Sequence, residues 1–226
     1  MRPLVLASGS SARAAVLAEA GVEFIVDRPE VDEREHDSVL ADAGPTGLAA
    51  RLANLKADAV APRHPAALVL AADQVAVLLD GSEQPMLTKQ PEREGAVEQL
   101  MRMSGSTHQL HNVLVLVDTE TGERCEGYDV QTITMCNFDR AAAEAYVDRF
   151  EPYESAGSYR IEDQDLMAPE DRLVDRFVAG PGMWDDGEIV ANSTGEGGGV
   201  SDLSGVRGLP LETLAFLFAW AEGREG

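Results

Sequence analysis

The N-terminal segment reads Leu4-Val5-Leu6-Ala7-Ser8-Gly9-Ser10-Ser11-Ala12-Arg13. Its apolar first half predicts a buried strand, and residues 12–20 carry apolar side chains at helical spacing. The hydroxyl residues between them therefore lie at a strand-to-helix turn, where backbone N–H groups and the positive helix end can bind an anion. Arg13 would add a forked cation suited to phosphate oxygens. The alternative is that Ser10 or Ser11 serves only as the helix N-cap.

The composition limits the class of protein. The 226 residues carry a net charge of -22, and 44% of them are hydrophobic, which is enough for a packed core. This acidity argues against a partner that is nucleic acid or an anionic membrane surface. No apolar run has membrane-spanning length and the N-terminus predicts a strand, so we expect a cytoplasmic protein. Cys125 and Cys136 are too few for a disulfide framework, and we predict structural thiols.

Lysine is rare in this chain. Lys56 and Lys89 are the only two lysines among 18 basic residues. Because arginine supplies nearly all the positive charge, the two lysines indicate positions that need a compact, rotatable ammonium group. Chance retention is the alternative. We predict a helix from an N-cap at Thr46 to Ala61, with Lys56 beside Leu55 at the edge of its apolar stripe.

Two acidic positions are candidates for chemistry. Asp73 follows a nearly continuous apolar run over 66–72, which is typical of a strand covered on both faces. A carboxylate at the end of a buried strand is costly unless it is paired or binds a metal, so we favour a function for Asp73. Glu33 lies in the acidic segment 27–35. Such a segment is usually a solvated loop, but it also suits a divalent cation that bridges phosphates.

The remaining pattern predicts an α/β protein. His108 and His111 lie three residues apart on a predicted strand, hence on opposite faces, and we assign them no metal. The glycine-rich segment 179–208 predicts a long mobile loop. The other predicted elements are helices over 92–103, 139–150 and 211–221, strands over 22–26, 75–79, 108–117 and 126–136, and a turn-rich segment over 152–162 before a short strand.

The ordered set of motifs resembles the Maf family of nucleoside triphosphate pyrophosphatases, relatives of the inosine triphosphate pyrophosphatases. The resemblance implies a twisted mixed sheet flanked by helices, with residues 1–226 forming one domain of two lobes around a central cleft. The motifs are LASGSSAR at the start, PEVDE ending at Glu33, RLANLKA through Lys56, ADQV at Asp73, Lys89, SGSTH ending at His108, EPYESAGSY and GLPL.

The resemblance also implies an activity. This is hydrolysis of a nucleoside triphosphate between the α- and β-phosphates to the monophosphate and pyrophosphate, with Mg²⁺ or Mn²⁺ as cofactor. The partner is the nucleotide, with no nucleic acid and no membrane, and a homodimer is compatible. Carried onto this sequence, the motif positions are Asp73 as catalytic base, Glu33 and Asp73 as metal ligands, and Ser8, Ser10, Arg13, Lys56 and Lys89 as substrate-binding residues.

Two further positions bear on the nucleotide base. Gln74 and Glu162 resemble the branch that prefers 7-methyl-GTP, whereas the pyrimidine-selective branch has Thr and Gln. A carboxylate facing a positively charged methylated purine is physically sensible. The chain departs from that branch at Ala12, where Trp is usual.

The sequence departs from the family pattern elsewhere too. The family's Gly-Lys-Pro is Thr88-Lys89-Gln90 here, and its Thr-Gly is His111-Asn112. These changes leave open an alternative function, a nucleotide-binding regulatory protein without turnover. A P-loop or dinucleotide-binding enzyme is disfavoured, because neither GxxxxGK[ST] nor GxGxxG occurs.

Overall fold

A mixed β-sheet forms the framework of the protein. The structure is a computed structural model that describes residues 2–36, 38–81, 84–185, 188–192 and 203–223. Its strands are β1 (Leu4–Ala7), β2 (Ile25–Val26), β3 (Leu68–Leu79), β4 (Met86–Leu87), β5 (Thr107–Asp118), β6 (Arg124–Met135), β7 (Val174–Asp185) and β8 (Glu188–Asn192). Their order is β2-β1-β3-β5-β6-β7-β8, with β4 paired to β3.

Strand directions make the sheet mixed. Strand β1 is parallel to β2 and β3, whereas β3 is antiparallel to β4 and β7 to β8. The predicted α/β class is confirmed. The helices are α1 (Ser11–Glu19), α2 (Val39–Val60), α3 (Arg93–Met103), α4 (Arg140–Phe150) and α5 (Leu211–Glu222), with short 3₁₀ helices at Glu33–His36, Ala61–Arg63, Ile161–Leu166 and Pro169–Asp171.

The chain divides into two units. Unit 1 comprises residues 1–74, 111–130 and 180–226, and unit 2 comprises residues 75–110 and 131–179. The core of unit 1 packs apolar side chains of β1, β3 and β5 against α1 and α5 because each element carries one continuous apolar face. Its buried members are Leu4, Leu6, Val16, Leu17, Leu70, Ala72, Leu114, Leu116, Leu209, Leu214, Leu217 and Ala221.

Unit 2 is built around the contact of α3 with α4. Helix α4 begins as predicted, because Asp139 caps it by accepting a 2.9 Å hydrogen bond from the Ala142 N–H. Helical spacing predicts that Ala96, Val97, Leu100 and Met101 face inward, but Met101 is only half-buried. The apolar residues that α3 buries are Ala96, Val97, Leu100 and Met103. These four residues recur at helical spacing and form the inward face of α3.

Several boundaries differ from the sequence prediction. Helix α2 begins at Val39 rather than near Thr46 and bends at Gly44, whose φ of 69° breaks the helix. The hydroxyl of Thr46 lies 2.8 Å from Nδ1 of His111 instead of capping α2. A 3₁₀ helix at Ile161–Leu166 replaces the short strand predicted after 152–162.

Two parts of the glycine-rich segment form strands. Part of the predicted loop over 179–208 is strand, because β7 continues to Asp185 and pairs with β8. Residues 193–202, which include the Gly-Glu-Gly-Gly-Gly run, lie outside the described residues. In the part of the chain that the structure describes, no helix combines the length and apolar character needed to cross a membrane.

His108 is fully buried in unit 2, where its Nε2 lies 2.9 Å from the Tyr159 hydroxyl. Burial lowers the pKa of His108 to about 4. An unfolded histidine has a pKa near 6.5. As the pH falls below that value, the unfolded state therefore binds a proton at His108 while the folded state does not. Stability that is present above about pH 6.5 is therefore lost toward about pH 4.

We expect His108→Gln to flatten this pH dependence. Between about pH 7 and pH 5, the wild type should lose on the order of 2 kcal/mol more unfolding free energy than the variant. Urea unfolding at both pH values measures the difference, with His36→Gln as the matched control. Parallel losses in the wild type and His108→Gln would show that His108 does not set the pH dependence.

Candidate functional site

Lys56 lies in the middle of the buried face of α2. Leu48, Leu52, Lys56 and Val60 recur every four residues and are all buried. The prediction that Lys56 sits at the edge of the stripe was therefore wrong. A lysine in this position requires anionic partners, because an unpaired ammonium group is very costly to bury.

Asp73 supplies the main partner from β3. The apolar runs before and after Asp73 form one twelve-residue strand, so Asp73 lies inside β3. The prediction that Asp73 ends a strand was therefore wrong. Its Oδ1 accepts a short hydrogen bond from Lys56 Nζ. Glu33 Oε1 lies 2.8 Å from the same nitrogen. Lys56 thus joins two carboxylates, one buried and one on an exposed 3₁₀ helix.

The environment of Asp73 has opposing effects on its charge. Burial raises the pKa of Asp73 above its usual range, while the positive charges of Lys56 and Arg13 partly offset this rise and Glu33 adds to it. Without the ammonium group of Lys56, the ionised carboxylate would be a buried, unpaired charge. The ion pair therefore explains how β3 can continue through Asp73.

The strand-to-helix turn after β1 has the predicted form. Ser10 is the N-cap of α1, and its Oγ accepts a 3.3 Å hydrogen bond from the Arg13 N–H. The buried Ser8 Oγ accepts from the Ser10 N–H at 3.2 Å and from Arg13 Nη1 at 3.3 Å. Capping and anion binding are compatible here, because the cap leaves a positive helix end beside a guanidinium group.

Arg13 is held by two elements. Its Nε donates a 2.9 Å hydrogen bond to the carbonyl of Gly208 near the C-terminus. Burial lowers the pKa of Arg13, and the charges of Asp73 and Glu33 oppose that effect. The guanidinium group remains charged because its ordinary pKa lies far above neutrality. One buried carboxylate and two cations therefore lie within electrostatic range of one another in unit 1.

Gln74 points away from Asp73. Successive side chains of a strand project to opposite faces, and the partners of the two residues agree with this. Gln74 Nε2 donates to Asn112 Oδ1 at 2.9 Å and to the carbonyls of Gly205 at 3.2 Å and Val206 at 3.3 Å.

The other two predicted site residues lie in unit 2. Lys89 Nζ is 3.3 Å from Glu154 Oε2, and both side chains are exposed. The backbone beside Lys89 is anchored by the buried Gln99, whose Nε2 donates to the Thr88 carbonyl at 2.9 Å. Glu162 is exposed on the 3₁₀ helix Ile161–Leu166, between the buried residues Ile161 and Asp163.

Known proteins match most of this chain, including the segments that carry Arg13, Lys56 and Asp73. A family model described as Maf-like protein matches residues 3–174. The chain belongs to the Maf-like family. A dTTP/UTP pyrophosphatase from Desulforamulus reducens is 35% identical over 162 residues, which cover 72% of this chain and 81% of the relative. A 7-methyl-GTP pyrophosphatase from Nitrosococcus oceani is 38% identical over 159 residues, covering 70% and 76%.

A third relative carries a broader name. It is a nucleoside triphosphate pyrophosphatase from Paramagnetospirillum magneticum, 37% identical over 163 residues that cover 70% of this chain and 81% of the relative. The three alignments have similar identity, although two of the names specify different nucleotides and the third specifies none. Membership of the Maf-like family confirms the resemblance inferred from the sequence motifs.

Glu33 and Asp73 are the two carboxylates of this Maf-like chain that the sequence assigns to a divalent cation. Glu33 and Asp73 direct oxygens at one point, where Lys56 Nζ lies. Mg²⁺ commonly takes one or two carboxylates and completes its shell with phosphate oxygens and water. Within the described residues, no group of three or more His, Cys, Asp or Glu side chains could hold a metal. These two carboxylates match the number of protein ligands that Mg²⁺ takes beside phosphate, but the ammonium group of Lys56 would have to leave the point where they converge before a cation could bind there.

Sequence reasoning missed part of this Maf-like site. Asn112 was noted only as a departure from the family pattern, yet its side chain is fully buried and bonded to Gln74. Gly208 entered only as the end of the glycine-rich segment and the start of the GLPL motif, yet its carbonyl orients Arg13. Neither contact has a local sequence signal, because each joins segments far apart in the chain.

The two lysines provide a matched test of the ion pairs. Lys56→Met should lower the free energy of unfolding by on the order of 3 kcal/mol, because Asp73 is left as a buried, unpaired charge. Lys89→Met should change it by less than about 0.5 kcal/mol, because an exposed pair contributes little. Urea unfolding at neutral pH measures both. Equal effects of the two substitutions would contradict the proposed importance of the buried pair.

Proposed function

We propose that this Maf-like chain is a nucleoside triphosphate pyrophosphatase that hydrolyses the α–β anhydride to the monophosphate and pyrophosphate. The observation that carries the proposal is the buried Asp73 carboxylate, held by Lys56 and lying close enough to Arg13 to interact with its charge. A base beside fixed cations is what hydrolysis of a polyanionic substrate requires. The printed names of the relatives support the same reaction class.

Each residue has a distinct task in the proposed reaction. Asp73 accepts a proton from the attacking water as the new oxygen–phosphorus bond forms and pyrophosphate leaves. Arg13 and Lys56 balance the charge of the phosphates, and Ser8 and Ser10 supply hydroxyl groups beside the positive end of α1. Lys89 adds a further ammonium group for phosphate.

A divalent cation completes the proposed site. We propose Mg²⁺ or Mn²⁺, held by Glu33 and Asp73 together with phosphate oxygens, and when bound it would neutralise charge on the triphosphate. In the structure, the ammonium group of Lys56 lies between the same two carboxylates, so it would have to move toward the phosphates to make room for the cation.

Product analysis tests the proposal directly. The chain is incubated with nucleoside triphosphates and Mg²⁺ or Mn²⁺, and the products are identified by ³¹P NMR. We expect the monophosphate and pyrophosphate. A diphosphate with inorganic phosphate would contradict the cleavage site, whereas nucleotide binding without turnover would favour the regulatory alternative.

Asp73→Asn should reduce kcat by about a hundredfold or more while nucleotide binding changes little, because the amide cannot accept the proton from water. The matched control is Asp118→Asn, since Asp118 is also buried on a sheet strand and paired with an arginine, Arg2. Steady-state pyrophosphate release measures both variants. Near-wild-type turnover by Asp73→Asn would remove this residue from the role of base.

The proposed substrate is a purine triphosphate, with 7-methyl-GTP as the leading candidate. Glu162 is exposed and its carboxylate can accept hydrogen bonds from, and attract, a positively charged base. Gln74 has its amide nitrogen committed to protein carbonyls and Asn112, so its oxygen is the atom suited to a donor on the base. A nucleoside triphosphate substrate is also consistent with the cytoplasmic location that we propose for this protein.

We expect 7-methyl-GTP to have a higher kcat/KM than dTTP or UTP. Glu162→Gln should reduce this preference by about 1–3 kcal/mol in transition-state free energy, because the interaction with a cationic base is lost. Glu170→Gln, another exposed carboxylate on a 3₁₀ helix, is the control. A wild-type preference for dTTP and UTP that Glu162→Gln leaves unchanged would reject the assignment.

A further inference from the structure

A short turn near the C-terminus contacts the site residues of unit 1. This C-terminal turn comprises residues 203–208 and precedes α5. It is closed by hydrogen bonds from the Arg207 N–H to the Leu203 carbonyl at 3.1 Å and from the Gly208 N–H to the Gly205 carbonyl at 3.0 Å. The turn lies beyond the residues that the Maf-like family model matches.

Asn112 of β5 attaches the turn to the sheet. Its Nδ2 donates to the Gly205 carbonyl at 2.9 Å and to Asp129 Oδ2 at 3.0 Å. A carbonyl and a carboxylate are both acceptors, so they fix which end of the Asn112 amide carries the nitrogen. The oxygen must then face Gln74, which it does, at 2.9 Å from Gln74 Nε2.

The orientation of Gln74 follows from that of Asn112. Because Asn112 presents an acceptor, Gln74 must present its amide nitrogen, and the same nitrogen reaches the carbonyls of Gly205 and Val206. Gly205 therefore accepts hydrogen bonds from both amide side chains. One buried residue, Asn112, thus determines both the anchoring of the turn and the direction of the Gln74 amide.

The turn in turn positions Arg13. The Gly208 carbonyl accepts from Arg13 Nε, and a side chain at Gly208 would lie about 3.3 Å from the same nitrogen. Gly208 also has a φ of 84°, which a residue with a side chain rarely adopts. A glycine therefore suits position 208, where the backbone of the turn lies close to both Arg13 and Gln74.

We propose that Asn112 is a positioning residue of the triphosphate site: it anchors the C-terminal turn so that the Gly208 carbonyl holds Arg13 in its phosphate-binding orientation. The proposal rests on the proposed function in that Arg13 binds phosphate. Asn112 touches no substrate in this account. Its effect on the reaction should therefore pass mainly through Arg13, with a smaller part through the Gln74 amide, and appear in KM.

The first measurement needs no substrate. Hydrogen exchange of the peptide covering the C-terminal turn should become about tenfold faster in Asn112→Ala, because the turn loses its hydrogen bond to Asn112 and the Gln74 amide loses the acceptor that orients it toward the turn. The matched control is Asn54→Ala. Asn54 is also an asparagine with side-chain hydrogen bonds, to Glu126 and Arg124, but none of the contacts described for it reaches the turn. Asn112→Ser provides a second variant if Asn112→Ala does not fold.

The second measurement separates positioning from loss of stability. Asn112→Ala should raise KM for the nucleoside triphosphate about tenfold while kcat stays within about threefold. In the Arg13→Ala background the same substitution should raise KM clearly less, by about threefold, because only its effect on the Gln74 amide remains. Asn54→Ala should leave KM unchanged.

The possible outcomes distinguish the positioning role of Asn112 from the proposed function. Wild-type exchange of the turn in Asn112→Ala, or an equal rise in KM with and without Arg13, would overturn the proposal. A wild-type chain that releases no pyrophosphate would contradict the proposed function alone. In that case, the affinity for an α,β-methylene nucleoside triphosphate replaces KM in the same comparison.

Discussion

The buried ion pair between Lys56 and Asp73 is the constraint on which the site depends. A lysine in the apolar face of α2 and an aspartate inside a central strand would each be destabilising alone, and each is compensated by the other. The pair therefore links a helix to the sheet at one fixed position. Glu33 and Arg13 then extend it into a cluster that can balance the charge of a polyphosphate.

Much of the fold could be predicted because its signals are local. Apolar periodicity predicts strand β1 and helices α3, α4 and α5, and capping chemistry predicts the start of α1 at Ser10. Asp73 was expected to end its strand because a charged residue interrupts an apolar run. Its partner lies 17 residues away on a helix, so the sequence pattern alone carries no sign that the strand continues.

The candidate site was also predictable only in part. Motif positions identify Ser8, Arg13, Lys56 and Asp73, and the structure brings these four together in unit 1 through contacts or electrostatic interaction. The motif does not reveal which side of β3 Gln74 faces. That orientation follows from Asn112 and from a turn more than 90 residues further along the chain, contacts that only the folded structure brings together.

The most direct test of the central claim is the pKa of Asp73 itself. It can be measured from the pH dependence of its ¹³Cγ chemical shift in the wild type and in Lys56→Met. We expect a wild-type pKa of Asp73 above the ordinary value of about 4 and a further rise in Lys56→Met, because burial then acts without the compensating ammonium group. An Asp73 pKa that is the same in both proteins would contradict the account.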